Sequence, residues 1–518
     1  MKISYKILGC VLLLIGMSCD PDRVDSPPLA NTEDSYFSNV IEFRNVLVGA
    51  YAKLYDFYHY NRGNYPNSLW LLPGDDLTET QAARTPEELF DGRLNSTNSR
   101  LEWIFDNTYE MIQKCNVVIQ KVNNVDYSNY DGAEEITRME GEALFLRSYA
   151  YFSLFNIYGN VPIITERLTA GNTNTPKSDK LEVLNQVVED ARAAIPILPE
   201  SWDDRYRGRA TKNSARGLLV KALVFRANYT GDMADHSEAI SVFNSITATL
   251  LTDYTDNFDH ETENNAESLF EIQAAAPNAI NNIQLYNDGP WRGVEDMSVF
   301  RGMMTPAGNG LASDGAGTRF IVTEKLLDGF GNDPRISFFL REDDNEGGRL
   351  FQKYTLPELD ERLAPHFTSI NNERVLRYAD LKLLIAEAQL KTGNPSVAIE
   401  HVNDVRARAR NWGAQSGEGD GSLPENYSTS ETNNSTIMEW IMNERFVELA
   451  GEGHRWWDLK RWHESGDINL TGWTGSDDHF STALASPVQF DVSKHLLFPI
   501  PQTEISRNDE ILNNNPGY

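Results

Sequence analysis

Cysteine is almost missing from this chain. Its 518 residues include three, Cys10, Cys19 and Cys115, and the first two sit in or beside the opening apolar stretch. One body cysteine cannot close an intramolecular disulfide, and a chain this long builds a core without one. Cys115 has apolar neighbours in Ile112, Val117 and Val118 and reads as a small buried hydrophobe. Long apolar runs are equally scarce. Ile7 to Met17 is the longest, and its eleven residues fall short of the roughly 20 that a spanning helix needs. Positive charge is under-represented too: 46 Lys+Arg face 76 Asp+Glu, for a net charge of −30. Such a surface repels nucleic-acid phosphates and anionic lipid headgroups. The nine histidines form no HExxH, H-x-H or Cys–His cluster, so zinc lacks a ligand set. No GxSxG elbow, GxxxxGK[ST] loop or GxGxxG turn is present, which leaves the common hydrolase, nucleotide and dinucleotide sites without a signature. Asp253 to Asp259 places Asp at every third position, whereas an EF-hand loop needs alternate ones. Neither a metal nor a cofactor is expected.

What the N-terminus does contain is a signal pattern. Lys2 and Lys6 flank the start of the apolar run, and the small residues Gly16 and Ser18 lead into Cys19. Residues 1–18 read as a lipoprotein signal peptide and Cys19 as an acylated mature N-terminus, although Gly16 stands where a branched aliphatic is usual. Residues 19–35, opening Cys-Asp-Pro-Asp-Arg-Val-Asp-Ser-Pro-Pro, are acidic and proline-bearing, as a tether would be. Each acyl CH₂ buried in a bilayer contributes about 0.8 kcal/mol. The expected protein therefore stands on a membrane through its lipid anchor alone.

Residues 36–518 read as one mostly helical domain. Met139 to Tyr158 is apolar on nearly every face, so it belongs in a core packed from several sides, and Gly159-Asn160 with Pro162 ends it. Lys212–Ile246 and Arg377–Ala409 each give a helix, a Gly-Asp or Gly-Asn turn, and a second helix opening near Ala239 or Ala398. This unit of about 34 residues is like a tetratricopeptide repeat, and further pairs are expected from Met139 and Ser435. Residues 251–365 break the pattern: Ser268 to Gln273 alternates like a short strand, and beyond it come Gly- and Asn-rich loops with exposed-looking Tyr286, Trp291, Phe300 and Phe320. Residues 413–434 read as a loop. Irregular insertions on a rigid base are where binding commonly sits.

Three separated motifs carry a resemblance. They are Glu142-Ala-Leu-Phe-Leu-Arg-Ser-Tyr-Ala-Tyr-Phe152 with Tyr158-Gly-Asn-Val-Pro162; Asn443-Glu-Arg-Phe-Val-Glu-Leu-Ala-Gly-Glu-Gly-His-Arg-Trp-Trp-Asp-Leu-Lys-Arg-Trp462; and Leu497-Phe-Pro-Ile-Pro-Gln-Thr-Glu-Ile505 ahead of the closing Asn513 to Tyr518. In this order behind a lipoprotein signal, the chain resembles SusD/RagB outer-membrane nutrient-binding lipoproteins over essentially its whole length. The resemblance implies tetratricopeptide-like helix pairs carrying a loop-rich insertion, with an N-terminal part to about residue 230 and a C-terminal part after it. It also implies a non-enzymatic, cell-surface protein that binds a glycan and delivers it to a TonB-dependent, SusC-like outer-membrane transporter. Relatives on the same scaffold capture peptides or other nutrients, which is the alternative.

Two features invite other chemistry. Glu444, Glu448 and Glu452 recur every four residues, about 6 Å apart on one helix face, near the spacing of a retaining glycosidase pair. Carboxylates so close repel unless neutralised, and Arg445, Arg455, Lys460 and Arg461 lie nearby, so a structural ion cluster is the expectation. Trp456, Trp457 and Trp462 read as core, with Trp457 and Arg461 spaced for a cation–π contact. A scaffold binding only protein is disfavoured by the aromatic-bearing insertion.

The ligand residues follow from sugar chemistry. Aromatic rings suit the C–H faces of a glycan, and Asp, Asn and Arg suit its hydroxyls. The resemblance places such groups in an early loop-plus-helix region and in a mid-chain loop. Trp103, Tyr286 and Trp291 are expected as stacking platforms, with Asp76, Arg84 and Asn107 as polar partners.

Overall fold

The computed structural model describes residues 36–58, 66–79, 84–169, 171, 173–274, 299–300, 320–341, 350–354, 368–369, 371–479 and 487–518. Among them, ten long helices carry the scaffold: α1 (Val40–Ala52), α2 (Ser99–Asn124), α3 (Ala133–Tyr158), α4 (Lys180–Ala194), α5 (Lys212–Thr230), α6 (Met233–Phe243), α7 (Tyr378–Lys391), α8 (Pro395–Ser416), α9 (Asn434–Glu448) and α10 (Arg455–Glu464). Short polar side chains start many of them. Asn39, Asn98, Asp179, Thr211, Asp232 and Asn433 accept hydrogen bonds from the first free N–H groups of α1, α2, α4, α5, α6 and α9. Pro395 opens α8, where its missing N–H costs nothing.

From α2 to α9 each helix packs on its successor, and α7 also meets α9. The pairing survives a long gap in sequence: α6 ends at Phe243 and α7 begins at Tyr378, yet α7 packs on α6. Two expected helix pairs are thus α5/α6 and α7/α8, with second helices that open at Met233 and Pro395, earlier than the periodicity placed them. The loop after α8 begins at Gly417, since the helix runs on to Ser416. α3 is buried almost throughout from Gly141 to its end. The charges on α3 are matched by neighbours: Arg147 reaches Asp190 of α4 at 2.6 Å and Asn116 of α2 at 2.8 Å. Buried charge is tolerated only when paired in this way.

Among the described residues, eight short strands accompany the helices: β1 (Leu77–Glu79), β2 (Ser268–Ile272), β3 (Val299–Phe300), β4 (Phe320–Val322), β5 (Leu340–Arg341), β6 (Leu350–Phe351), β7 (Thr368–Ser369) and β8 (Glu373–Arg377). They form one antiparallel sheet of order β1-β4-β6-β5 and the pairs β2-β8 and β3-β7. The alternation at Ser268–Gln273 is the strand β2. Phe320, read as an exposed loop aromatic, is instead 2 % exposed, because pairing with Glu79 of β1 turns β4 into the sheet. No helix among the described residues is long and apolar enough to cross a membrane.

The three sequence motifs meet at one place. The Phe498 N–H donates to Ile157 O (2.9 Å), and the Asn515 side chain donates to Tyr158 O (2.7 Å) and Phe498 O (2.6 Å). Lys460 of α10 reaches Asn156 O. The end of α3, the middle of α10 and residues 498–515 therefore form one joint.

Candidate ligand-binding surface

The acidic ladder is structural. Glu444 and Glu448 lie on α9, while Glu452 lies past its end. All three are buried. Arg335 stands 2.8 Å from Glu444 and 2.7 Å from Glu448; Arg377 stands 2.6 Å from both Glu448 and Glu452. Arg408 reaches Glu448 at 2.5 Å, Arg406 reaches Glu444 at 3.0 Å, and Lys353 pairs with Glu452. The neutralising cations are thus not those expected from sequence proximity. Arg445 and Arg461 hold Asp458, Arg455 holds Asp75, and Lys460 holds a carbonyl. Adjacent helical residues do not share a face, so Arg445 points away from Glu444. Burial pushes the Glu448 carboxyl up, but Arg408, Arg377 and Arg335 overcome it and hold the group far below the usual carboxylate range. A glycosidase acid needs the opposite shift. Trp456 and Trp462 are 1 % exposed. Arg461 lies over Trp462 (4.8 Å) and Phe225 (5.2 Å), not over Trp457, which meets Phe152 edge-on at 5.8 Å.

Two expected ligand partners are likewise taken by the protein. Asp76 is buried and accepts from the Gly451 N–H at 3.0 Å. Burial lifts its carboxyl to about 6, against the pull of that N–H, with the neighbouring Asp75 charge adding to the rise. Arg84 is also buried, bound to Glu88 and Asp477 at 3.0 Å and to Ser476 at 2.9 Å. Both side chains point inward in this arrangement: Asp76 is buried against the Gly451 backbone, and Arg84 ends in an ion network with Glu88 and Asp477.

Trp103 and Asn107 differ. Both are half-buried on the first turns of α2, one helical turn apart, and so share a face. The Trp103 indole N–H donates to Asp56 O at 3.0 Å, which fixes the ring. Asn107 donates to Trp103 O (2.8 Å) and accepts from Lys53 Nζ (2.9 Å). Lys53 also pairs with Asp56 at 3.4 Å and with Glu110. The 3₁₀ turn Lys53–Tyr58, which continues α1, supplies this second wall. Tyr55 on it donates to Gln273 O at 2.5 Å, and the turn contacts β3. Beside the patch, α1, α2 and residues Glu504–Asn508 enclose a groove of about 660 Å³. The patch thus offers a fixed indole, a cation, an amide and a carboxylate at the two described ends of the mid-chain segment. Tyr286 and Trp291, expected to complete it, lie outside the described residues, as does Cys19. Lys53, Tyr55 and Asp56 were not picked out from the sequence, although the run from Lys53 to Tyr65 has the aromatic and Asn-rich character that singled out the mid-chain loop.

Residues 340–518 match the model of the SusD family. Residues 29–223 match a second SusD-like model, described as starch-binding associating with outer membrane. The chain belongs to the SusD family. A SusD-like protein of Formosa agariphila is 24% identical, with the alignment covering 100% of both chains. A SusD homolog from Bacteroides thetaiotaomicron has the same fold, with a TM-score of 0.75 and 23% identity over 94% of this chain and 99% of that one. Surface glycan-binding protein A from the same species, solved with laminarihexaose, gives a TM-score of 0.70 and 20% identity over 92% and 100%. The motif residues tie the helices together: Lys460 of α10 meets Asn156 O of α3, Arg461 of α10 meets Asn228 of α5 and Glu387 of α7, and Arg445 of α9 meets Asp380 of α7 and Asp458 of α10.

Proposed function

We propose that this SusD-family protein is a cell-surface lipoprotein, anchored through Cys19, that binds a glycan without cleaving it. A TonB-dependent, SusC-like outer-membrane transporter then receives the ligand. In this reading, residues 1–18 are removed, residues 19–35 are the tether and residues 36–518 are the binding domain.

The observation that carries the reading is the Trp103–Asn107–Lys53 patch. Its indole is held by a backbone hydrogen bond, so a sugar ring stacking on it finds an ordered surface, and preorganisation lowers the cost of binding. Amide, ammonium and carboxylate groups around it match hydroxyl donors and acceptors. The glycan-bound fold neighbour supports the ligand class, and the ion-locked glutamates argue against turnover. Tyr286 and Trp291 are proposed as the remaining stacking rings.

The test is affinity electrophoresis of the form lacking residues 1–19 in gels containing laminarin, starch, xylan, pectin or alginate. One polymer should retard the protein, Trp103→Ala should abolish at least half of that retardation, and no reducing sugar should be released. Retardation by none of them, with calorimetric binding to peptides instead, would overturn the glycan assignment.

A further inference from the structure

A second aromatic group lies on the loop Glu200–Arg209, which meets α1 at Arg44 and Tyr51, whereas Trp103 meets its 3₁₀ extension at Asp56. Trp202 and Tyr206 are half-buried, with ring centroids 6.0 Å apart at 73°. Arg209 supports both, lying 4.2 Å from the Trp202 ring and 4.9 Å from that of Tyr206. Its guanidinium is itself fixed by Glu142 and Glu135, at 2.8 Å and 3.0 Å. The Trp202 N–H donates to Ala210 O at 2.8 Å. The pair is therefore as firmly set as Trp103.

The loop is built against the wall of the ligand surface. The Ala210 N–H donates to Tyr51 OH at 2.9 Å, on α1. Gly208 has φ +91°, and a Cβ there would fall 2.3 Å from the Gln273 side chain, so the loop rests directly on the residue whose carbonyl receives Tyr55. Arg44 lies against Tyr206 (5.7 Å), and Asp56 holds Trp103. These two positions are twelve residues apart on α1 and its 3₁₀ extension, roughly 20 Å at the helical rise. That is the length of several sugar rings.

Covering the Arg209 ion pairs needs only apolar bulk. This loop offers more. The Tyr206 hydroxyl has no hydrogen-bond partner among the described residues, and Asp203, Asp204, Arg205 and Arg207 around it are exposed. Half-open rings ringed by exposed donors and acceptors have the chemistry of the Trp103 patch.

We infer that Trp202 and Tyr206 form a second subsite for the same hydroxyl-rich ligand, so that a long oligosaccharide spans from Trp103 to Trp202 while a short one occupies only the first. The inference rests on the reading of the Trp103 patch as a glycan platform.

Calorimetry separates the two. The probes are laminarin, starch, xylan, pectin and alginate, each with its own disaccharide and a fragment of at least six sugars. Trp202→Ala should weaken binding of the polymer and long fragment roughly threefold or more and leave the disaccharide unchanged. Trp103→Ala should weaken all three. A second readout uses the wild-type protein, so it survives any loss of stability in the variant: oxidation of Trp202 by N-bromosuccinimide, followed by peptide mass spectrometry. The long fragment should protect Trp202, and the disaccharide should not. Equal oxidation with and without the long fragment, or polymer affinity untouched by Trp202→Ala, overturns the subsite while leaving the Trp103 platform standing. Binding of no glycan at all removes the platform reading and the subsite with it.

Discussion

Asp75 and Asp76 are neighbours in sequence that titrate in opposite directions, and the difference lies in what each one touches. Burial raises both, but Arg455 and Lys325 reverse it at Asp75 and bring that carboxyl to about 2. Among the described residues Asp76 has only the Gly451 N–H as a firm partner, and its carboxyl is pushed up to about 6. A carboxyl whose folded pKa exceeds its unfolded value of about 3.9 favours folding when protonated. Its contribution is present below that unfolded value and is lost as pH rises through about 6. Asp76→Asn keeps an oxygen for Gly451 and removes the charge. Relative to wild type, the variant should gain stability across pH 4 to 6, reaching on the order of 2–3 kcal/mol above pH 7. Melting curves at pH 4, 5, 6 and 7.5 check this, and a pH-independent difference would rule it out. The same contrast shows what the sequence left hidden at this scale. Asp76 and Arg84 have the residue types that suit a hydroxyl, yet residues nearly 400 positions away, Gly451 and Asp477, consume them. Such partners leave no local trace. Cys115, by contrast, was legible: its apolar neighbours predicted burial, and it is fully buried, with the thiol pushed up to about 12.

Among the elements, those whose pattern spans several turns read most clearly. α3, α5/α6 and α7/α8 followed from periodicity and turn residues, because burying one face dictates the spacing of apolar side chains. The strands were mostly opaque, since several are two residues long and are set by distant partners. Gly451, in the turn between α9 and α10, shows such a long-range constraint. It adopts φ +69°, and a Cβ would lie 2.1 Å from the Phe351 ring of β6. Gly231, after α5, has φ +73° but open space around it. Gly451→Ala should therefore destabilise by roughly 3 kcal/mol or more, combining backbone strain with a core clash. Gly231→Ala should cost only about 1 kcal/mol. Thermal or urea unfolding of the two variants side by side measures the difference, and equal losses would place all of the cost in the backbone.

For the molecule as a whole, the anchor and the domain are separable expectations. Cys19→Ser should move the protein from the membrane fraction to the soluble one while leaving its melting temperature and glycan affinity unchanged. Fractionation with immunoblotting reads the first and calorimetry the second; continued membrane association would transfer the attachment to the domain itself. The fold class and family were legible here because the motifs are long and ordered along the chain. The proposed ligand surface was legible only in part. Trp103 and Asn107 stood out by residue type, whereas Lys53 and Asp56 meet them only through folding.

The joint at the end of α3 gives the chain a particular order of completion. Tyr158 O is satisfied by Asn515, 357 positions further along the chain, so the first half of the scaffold cannot seal its own seam and waits for a segment made long after it. A chain interrupted before Asn515 remains unlatched at that seam.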